Sequence, residues 1–245
     1  MASILEEVGW GKPALSLLSQ CMRLDPELPA VMHIRHTERP PSTLETTERA
    51  REIGRSALLS TEKGKQAAFE FGQRLPSDRV YRVYHSPVDR AVETAEQIFK
   101  ALQAAGRDVQ LKGVFLKQYD DFDRRLDYFK KDAFEGEVAD TLQFFINRLS
   151  ERYPPWELES YALVARRHAA IVTENLKTAV PQSLDVYVSH DAYVAAFMFY
   201  WFSMMPREEF IEFLDGFVLQ LQDDRMIVYT KDERKEVGYP YWWRF

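Results

Sequence analysis

The sequence predicts an α/β fold: a three-layer α/β/α sandwich around a mainly parallel sheet, carrying a small helical cap insertion. Three observations support this. Short apolar runs of strand length, at residues 30–35, 80–84 and 184–189, alternate with longer segments whose apolar residues recur at helical spacing. A strong helix start, Ser86-Pro87, directly follows one of the runs. At 245 residues, with 46% hydrophobic and 29% charged content, the chain is long enough for one large domain with a modest insertion.

Taken in order, residues 1–29 read as a short helical N-terminal extension that stops at Asp25-Pro26-Glu27-Leu28-Pro29. Ala-Val-Met-His-Ile-Arg at 30–35 reads as a buried strand. Residues 37–60 are polar and broken by proline at first, with a short helix near 45–54. Ser60 or Thr61 caps a helix running through Leu75, in which Ala67, Ala68, Phe71 and Leu75 share a face. The second strand is 80–84. Ser86 is read as an N-cap, with Pro87 at the first helical position of a helix to about Leu102.

Residues 108–115 are expected to form a third strand. The pattern then turns charged and aromatic from 119 to 155, ending at Pro154-Pro155, and this stretch is read as the cap. A long helix at 157–178, a strand at 184–189 and a helix at 191–204 follow. Runs at 217–221 and 226–230 flank Asp223-Asp224, a hairpin signal. The whole of 1–245 is expected to be one domain. The aromatic tail, Tyr239 to Phe245, is expected to pack onto it.

Net charge is −6, so no basic field favours nucleic acid. The single cysteine, Cys21, rules out an intrachain disulfide and a thiolate metal cluster. No run approaches a membrane span, and the N-terminus lacks the pattern of a signal peptide, so a cytoplasmic protein with no membrane partner is expected.

Against this acidic background, three strand ends carry cations and imidazoles: Arg35-His36, His85-Ser86 with Arg90 four residues on, and Ser189-His190-Asp191. In open parallel sheets ligands bind beyond the carboxyl ends of the strands. A neutral imidazole attacks phosphorus well near pH 7, and arginine forks match the phosphoryl oxygens. His36 is therefore the candidate nucleophile. Arg35 and Arg90 are the candidate phosphate ligands, His190 is expected to lie across from His36, and Asp191 is the candidate proton donor. Thr37 and His85 are expected beside the substrate. His33 is expected to be structural, and strand parity argues against its sharing a metal with His36. His168, beside Arg166 and Arg167, reads as part of a solvated face.

These segments resemble the histidine phosphatase superfamily, which includes phosphoglycerate mutases, acid phosphatases and phytases. Arg35-His36-Thr37 stands where the family has Arg-His-Gly. Leu59 to Gly64 is similar to its Leu-Thr-x-x-Gly, and Ser86 to Ala95 to its Ser-x-x-x-Arg-Ala-x-x-Thr-Ala. Val188-Ser189-His190 resembles its second histidine strand. The resemblance spans roughly residues 30–200 and implies a phosphoglycerate mutase-like fold, a phosphohistidine at His36, and no metal or other cofactor.

The resemblance implies that Arg35, Arg90 and His190 form the phosphate pocket; Arg39, which it adds to that pocket, and His190-Asp191 lean toward the acid phosphatase branch. The Arg-Ala-x-x-Thr-Ala helix leans toward the mutase-related branch, whose donor is usually a glutamate after the third strand. Here that place reads Leu116-Lys117-Gln118, with Asp120, Asp121 and Asp123 as possible substitutes. Thr37, in place of glycine, either narrows the pocket or donates a hydrogen bond.

The expected activity is hydrolysis of phosphate monoesters, on a small phosphorylated substrate or a phosphoprotein. The alternatives are a phosphomutase, for which no second basic cluster is visible, and a catalytically silent phospho-ligand binder. Substrate identity and oligomeric state stay open.

Overall fold

The computed structural model describes residues 3–41, 43–52, 58–115, 138–205 and 211–243. Its centre is a seven-stranded sheet in the order β3-β2-β4-β1-β5-β6-β7. Strands β1 (Ala30–Arg35), β2 (Val80–His85), β3 (Val109–Val114) and β4 (Ser183–Ser189) run parallel. Strands β5 (Gly216–Leu221), β6 (Arg225–Thr230) and β7 (Arg234–Gly238) complete the sheet as an antiparallel meander next to β1.

Alternation along the strands sorts the core into two faces, because successive side chains point to opposite sides of a sheet. On one face, Met32 and Ile34 of β1 and Leu184, Val186 and Val188 of β4 meet α2 (Gly11–Cys21), α4 (Glu62–Arg74) and α5 (Asp89–Ala104). On the other, Val31 and Tyr187 meet α7 (Tyr161–Lys177) and α8 (Asp191–Phe202). The α8 sequence, Asp-Ala-Tyr-Val-Ala-Ala-Phe-Met-Phe-Tyr-Trp-Phe, is apolar on nearly every side and sits among the aromatic residues of that second face. The three-layer sandwich is therefore the observed architecture.

Local signals place most of the elements. Thr61 caps α4, its hydroxyl accepting from the Gly64 N–H, and Ser160 caps α7 by accepting from the Leu163 N–H. Two further helices, α1 (Ile4–Glu7) and α3 (Leu44–Glu52), lie before β1 and before α4, and α6 (Val138–Leu149) precedes α7. The N-terminal extension belongs to the core: Leu5, Ala14, Leu17 and Leu18 are buried in the same cluster as α4 and β1. The expected cap at 119–155 lies outside the described residues up to position 137, as do Asp120, Asp121 and Asp123; from 138 onward it contributes α6.

Three expectations are corrected. Ser86 does not cap the following helix, which starts at Asp89 with Val88 as the flanking residue and no side-chain cap. A third antiparallel strand, β7, joins the C-terminal hairpin. His168 does not lie on a solvated face; it is fully buried, with its Nε2 3.0 Å from the Nε2 of His33. Of the aromatic tail, Trp243 packs as expected, lying 5.0 Å from Trp201 and donating to Thr173 Oγ1 at 3.1 Å, while Tyr241 is exposed. Among the described residues no helix is long and apolar enough to cross a membrane.

Candidate active site

The parallel strands β1, β4 and β2 all end at one edge, and the sheet register fixes which residues meet there. Arg35 pairs with Ser189 across β1 and β4, and His85 pairs with Val188 across β2 and β4. Connections leave β1 and β4 toward opposite faces, so the crevice between them is the kind of switch point at which open α/β sheets bind ligands.

His36 leaves β1 with 2% of its surface exposed, and its Nδ1 lies 2.7 Å from the Thr37 carbonyl. A carbonyl only accepts, so Nδ1 carries the proton and Nε2 presents its lone pair. Arg90 Nε donates to that Nε2 at 2.8 Å, which requires the same tautomer. Burial, then Arg90 and Arg35, hold the His36 ring well below the ordinary histidine range, so it is neutral at physiological pH. A neutral, oriented imidazole beside guanidinium groups is the arrangement a phosphoryl nucleophile requires.

His190 faces His36 with ring centroids 5.3 Å apart. Its Nδ1 is 3.3 Å from Arg90 Nη2 and its Nε2 is 3.0 Å from Ser86 Oγ. Because the guanidinium only donates, Nδ1 accepts and Nε2–H donates to Ser86. Ser86 thus sets the second histidine, a role read in the sequence as helix capping. The signal for it was the strand-end position, which Ser86 shares with the other candidates.

Arg35 is held on three sides. Its Nη1 donates to the Ile211 carbonyl at 2.7 Å, its Nη2 pairs with Asp191 Oδ2 at 3.1 Å, and its guanidinium lies 4.3 Å from the centre of the Phe213 ring. Its Nε–H is buried with no acceptor among the described residues, a donor that an oxyanion could satisfy. The Ala192 N–H donates to the other Asp191 oxygen at 2.8 Å. Burial and the nearby Arg35 push the Arg39 guanidinium down from its ordinary value, while Asp191 opposes them. Three arginines and one aspartate therefore gather around the two histidines.

Thr37 is fully buried and turned away from the crevice. Its Oγ1 donates to the Gly64 carbonyl at 2.7 Å, and its N–H donates to Thr94 Oγ1 at 3.0 Å. Thr94 in turn donates to the Arg90 carbonyl at 2.7 Å, tying the His36 loop to the helix that carries Arg90. Gly64 has to be small here, since a Cβ would stand 2.7 Å from the Glu38 carbonyl oxygen. His85 is also buried, with its Nδ1 bonded to the Ser86 carbonyl at 2.9 Å rather than to the charged groups of the site. Among the described residues no three His, Cys, Asp or Glu side chains converge as a metal centre would require.

A neutral, buried histidine, a second histidine and arginines at the carboxyl edge of this sheet are the arrangement of a histidine phosphatase-type protein. The family model for the histidine phosphatase superfamily (branch 1) matches residues 32–215, and the chain belongs to that family. Solved structures agree in fold. Phosphoglycerate mutase from Bacillus anthracis is similar at 18% identity over 87% of this chain and 94% of its own, with a TM-score of 0.53. YhfR of Bacillus stearothermophilus is similar at 19% identity over 82% and 96%, with a TM-score of 0.52. Mycobacterial glucosyl-3-phosphoglycerate phosphatase follows at 14% identity over 86% and 96%, with a TM-score of 0.50. No curated protein sequence matches significantly.

Proposed function

We propose that this chain hydrolyses phosphate monoesters through a phosphohistidine on His36. The observation that carries the reading is the fixed His36 tautomer: Nδ1–H is held by the Thr37 carbonyl, and the Nε2 lone pair faces Arg90 and His190. In the resting protein Arg90 Nε–H occupies that lone pair. A substrate phosphoryl group offers the guanidinium better acceptors, and its transfer to them releases Nε2 for in-line attack.

In the first step the Nε2–P bond forms and the P–O bond to the leaving group breaks. Arg35, Arg39 and Arg90 stabilise charge on the phosphoryl oxygens, with His190 as a further ligand. Asp191, at the start of α8, delivers a proton to the departing oxygen. In the second step water breaks the P–N bond, releasing phosphate and restoring the neutral imidazole; Asp191 takes up the proton that water gives up. The Arg35–Asp191 ion pair adds a condition: the acid functions once the bound phosphate has drawn Arg35 toward itself. No step requires a metal.

The test is phosphate release from an aryl and from an alkyl phosphate by the wild type, His36→Ala and Asp191→Asn, with an acid-labile phosphoenzyme trap. His36→Ala should abolish turnover and trapping on both substrates. Asp191→Asn should cost about 10²-fold or more on the alkyl ester and far less on the aryl ester, whose leaving group needs no proton. Wild type that binds phosphate yet forms no phosphoenzyme on either substrate would refute the reading.

A further inference from the structure

Arg35 is held by a short segment, 211–215, and the far side of that segment lines a cavity. The cavity has a volume of about 260 Å³ and is bounded among the described residues by Ala195 and Met198 of α8, Met204, Ile211, Asp215 and the hairpin residues around Lys231. It is distinct from the crevice, since His36, Arg90 and His190 do not line it.

Asp215 gives the cavity a specific polar contact. The residue is 2% exposed, and among the described residues its Oδ1 accepts only the N–H of its own neighbour, Gly216, at 2.7 Å. Nothing among the described residues donates to its second oxygen. That oxygen still opens onto the cavity, so a ligand there can donate to it inside a largely enclosed site, where a charge-assisted bond is stronger than in open water. One part of the lining, Ala195, Met198, Met204, Met205 and Ile211, is apolar and adaptable, because methionine side chains repack easily around small molecules. Lys231 and Lys235 stand with Asp215, Asp232 and Glu233 in the lining, so the balance of formal charge favours a single positive charge in the guest.

We propose that this cavity is a second ligand site, taking a small apolar molecule that carries a primary ammonium group. The ammonium donates to Asp215, and the apolar part lies on Met198, Met204 and Ile211. The size fits: a cavity of about 150 Å³ holds a benzene ring, which leaves room here for a ring bearing a short amine arm.

The site is coupled to Arg35 through the backbone. The Arg35 N–H donates to the Asp215 carbonyl at 3.0 Å, the Leu214 N–H donates to the Arg35 carbonyl at 3.2 Å, and Ile211 accepts from Arg35 Nη1. A guest that immobilises Ile211 and Asp215 fixes the Arg35 guanidinium in advance, so phosphate binds with less ordering still to be done. This coupling rests on the phosphate-binding reading of the crevice, whereas occupation of the cavity does not.

The experiment is calorimetric titration of 2-phenylethylammonium, with 2-phenylethanol as the uncharged comparison, into wild type, Asp215→Asn and Ala195→Phe, each checked for folding by circular dichroism. The amine should bind the wild type at least about tenfold more tightly than the alcohol does. Asp215→Asn keeps an acceptor for the Gly216 N–H and should lose about tenfold in amine affinity; Ala195→Phe, which fills the cavity, should abolish binding. Absence of amine binding to wild type, equal affinity for amine and alcohol, or unchanged binding to a folded variant would overturn the site.

The wild-type comparison decides the matter even if a variant does not fold. In a second titration, saturating amine should tighten inorganic phosphate at least about threefold. Phosphate that binds with unchanged or weaker affinity would overturn the coupling while leaving the site standing. Phosphate that fails to bind at all would count against the crevice reading instead.

Discussion

The buried histidine pair sets a measurable pH dependence of stability. His33 and His168 are both fully buried, stand Nε2 to Nε2 at 3.0 Å, and are enclosed by the rings of Phe115, Tyr187, Phe197 and Trp201. Burial pushes both rings well below the ordinary value of 6.5, His168 to about 3. In the unfolded chain each ring takes up a proton as pH falls through about 6.5, while the folded protein does not. Stability is therefore complete above that value and is lost progressively as pH falls toward the folded value.

Between about pH 7.5 and about pH 5.5 each ring costs about 1.4 kcal/mol, so the pair costs about 2.7 kcal/mol. Asp215, pushed up to about 6 by burial, works in the opposite direction over part of that range, and buried His36 adds to the loss. Both groups cancel in a comparison with His33→Leu/His168→Leu, which nearly conserves volume and also removes the two Nδ1 atoms that lack partners among the described residues. Urea unfolding at the two pH values should show the double variant losing about 2.7 kcal/mol less than wild type on acidification. Equal losses in the two proteins would refute the argument that these rings are held neutral.

Three further outcomes follow from the same geometry. The His36 ring protons, assigned by comparison with His36→Asn in NMR spectra, should keep their neutral shifts as pH falls through 6.5, and a midpoint near 6.5 would contradict the burial and charge around the ring. Asp185→Asn should cost about 3–5 kcal/mol in urea unfolding, because Arg82 Nε and Nη2 bind the two Asp185 oxygens at 2.5 and 2.6 Å inside the protein, and the change leaves the Arg82 charge with only the neutral acceptors Thr178 and Asn175; a cost below about 1 kcal/mol would mean that water reaches the pair. Thr94→Val should cost about 1–3 kcal/mol by stranding the Thr37 N–H, and a thermally unchanged variant would show that the His36 loop does not depend on that bond.

Much of the molecule was legible before any coordinates, and for local reasons. An apolar run such as Ala-Val-Met-His-Ile-Arg can only be a buried strand if its neighbours are helical segments, and Thr61 announces a helix because its hydroxyl reaches the Gly64 N–H three residues on. The crevice residues were legible because strand ends in a parallel sheet share an edge, so Arg35, His85 and Ser189 had to lie near one another.

What the sequence could not decide was which of the assembled residues would bond to which. Ser86 reads as a helix cap over its next few neighbours, yet its hydroxyl goes to His190, 104 positions away. His168 reads as solvated beside Arg166 and Arg167, yet α7 turns it inward to His33, 135 positions away. Asp191 follows His190 as a free acid in the sequence, and only the placement of the 211–215 segment and of β1 gives it Arg35 as a partner. The chain by itself determined the elements, their order and the edge where the chemistry gathers, since propensity, capping and apolar period act within one or two turns. Tertiary structure alone decided the hydrogen-bond partners and the burial of each imidazole, because these depend on strand register and helix rotation, set by packing energy summed over the whole core.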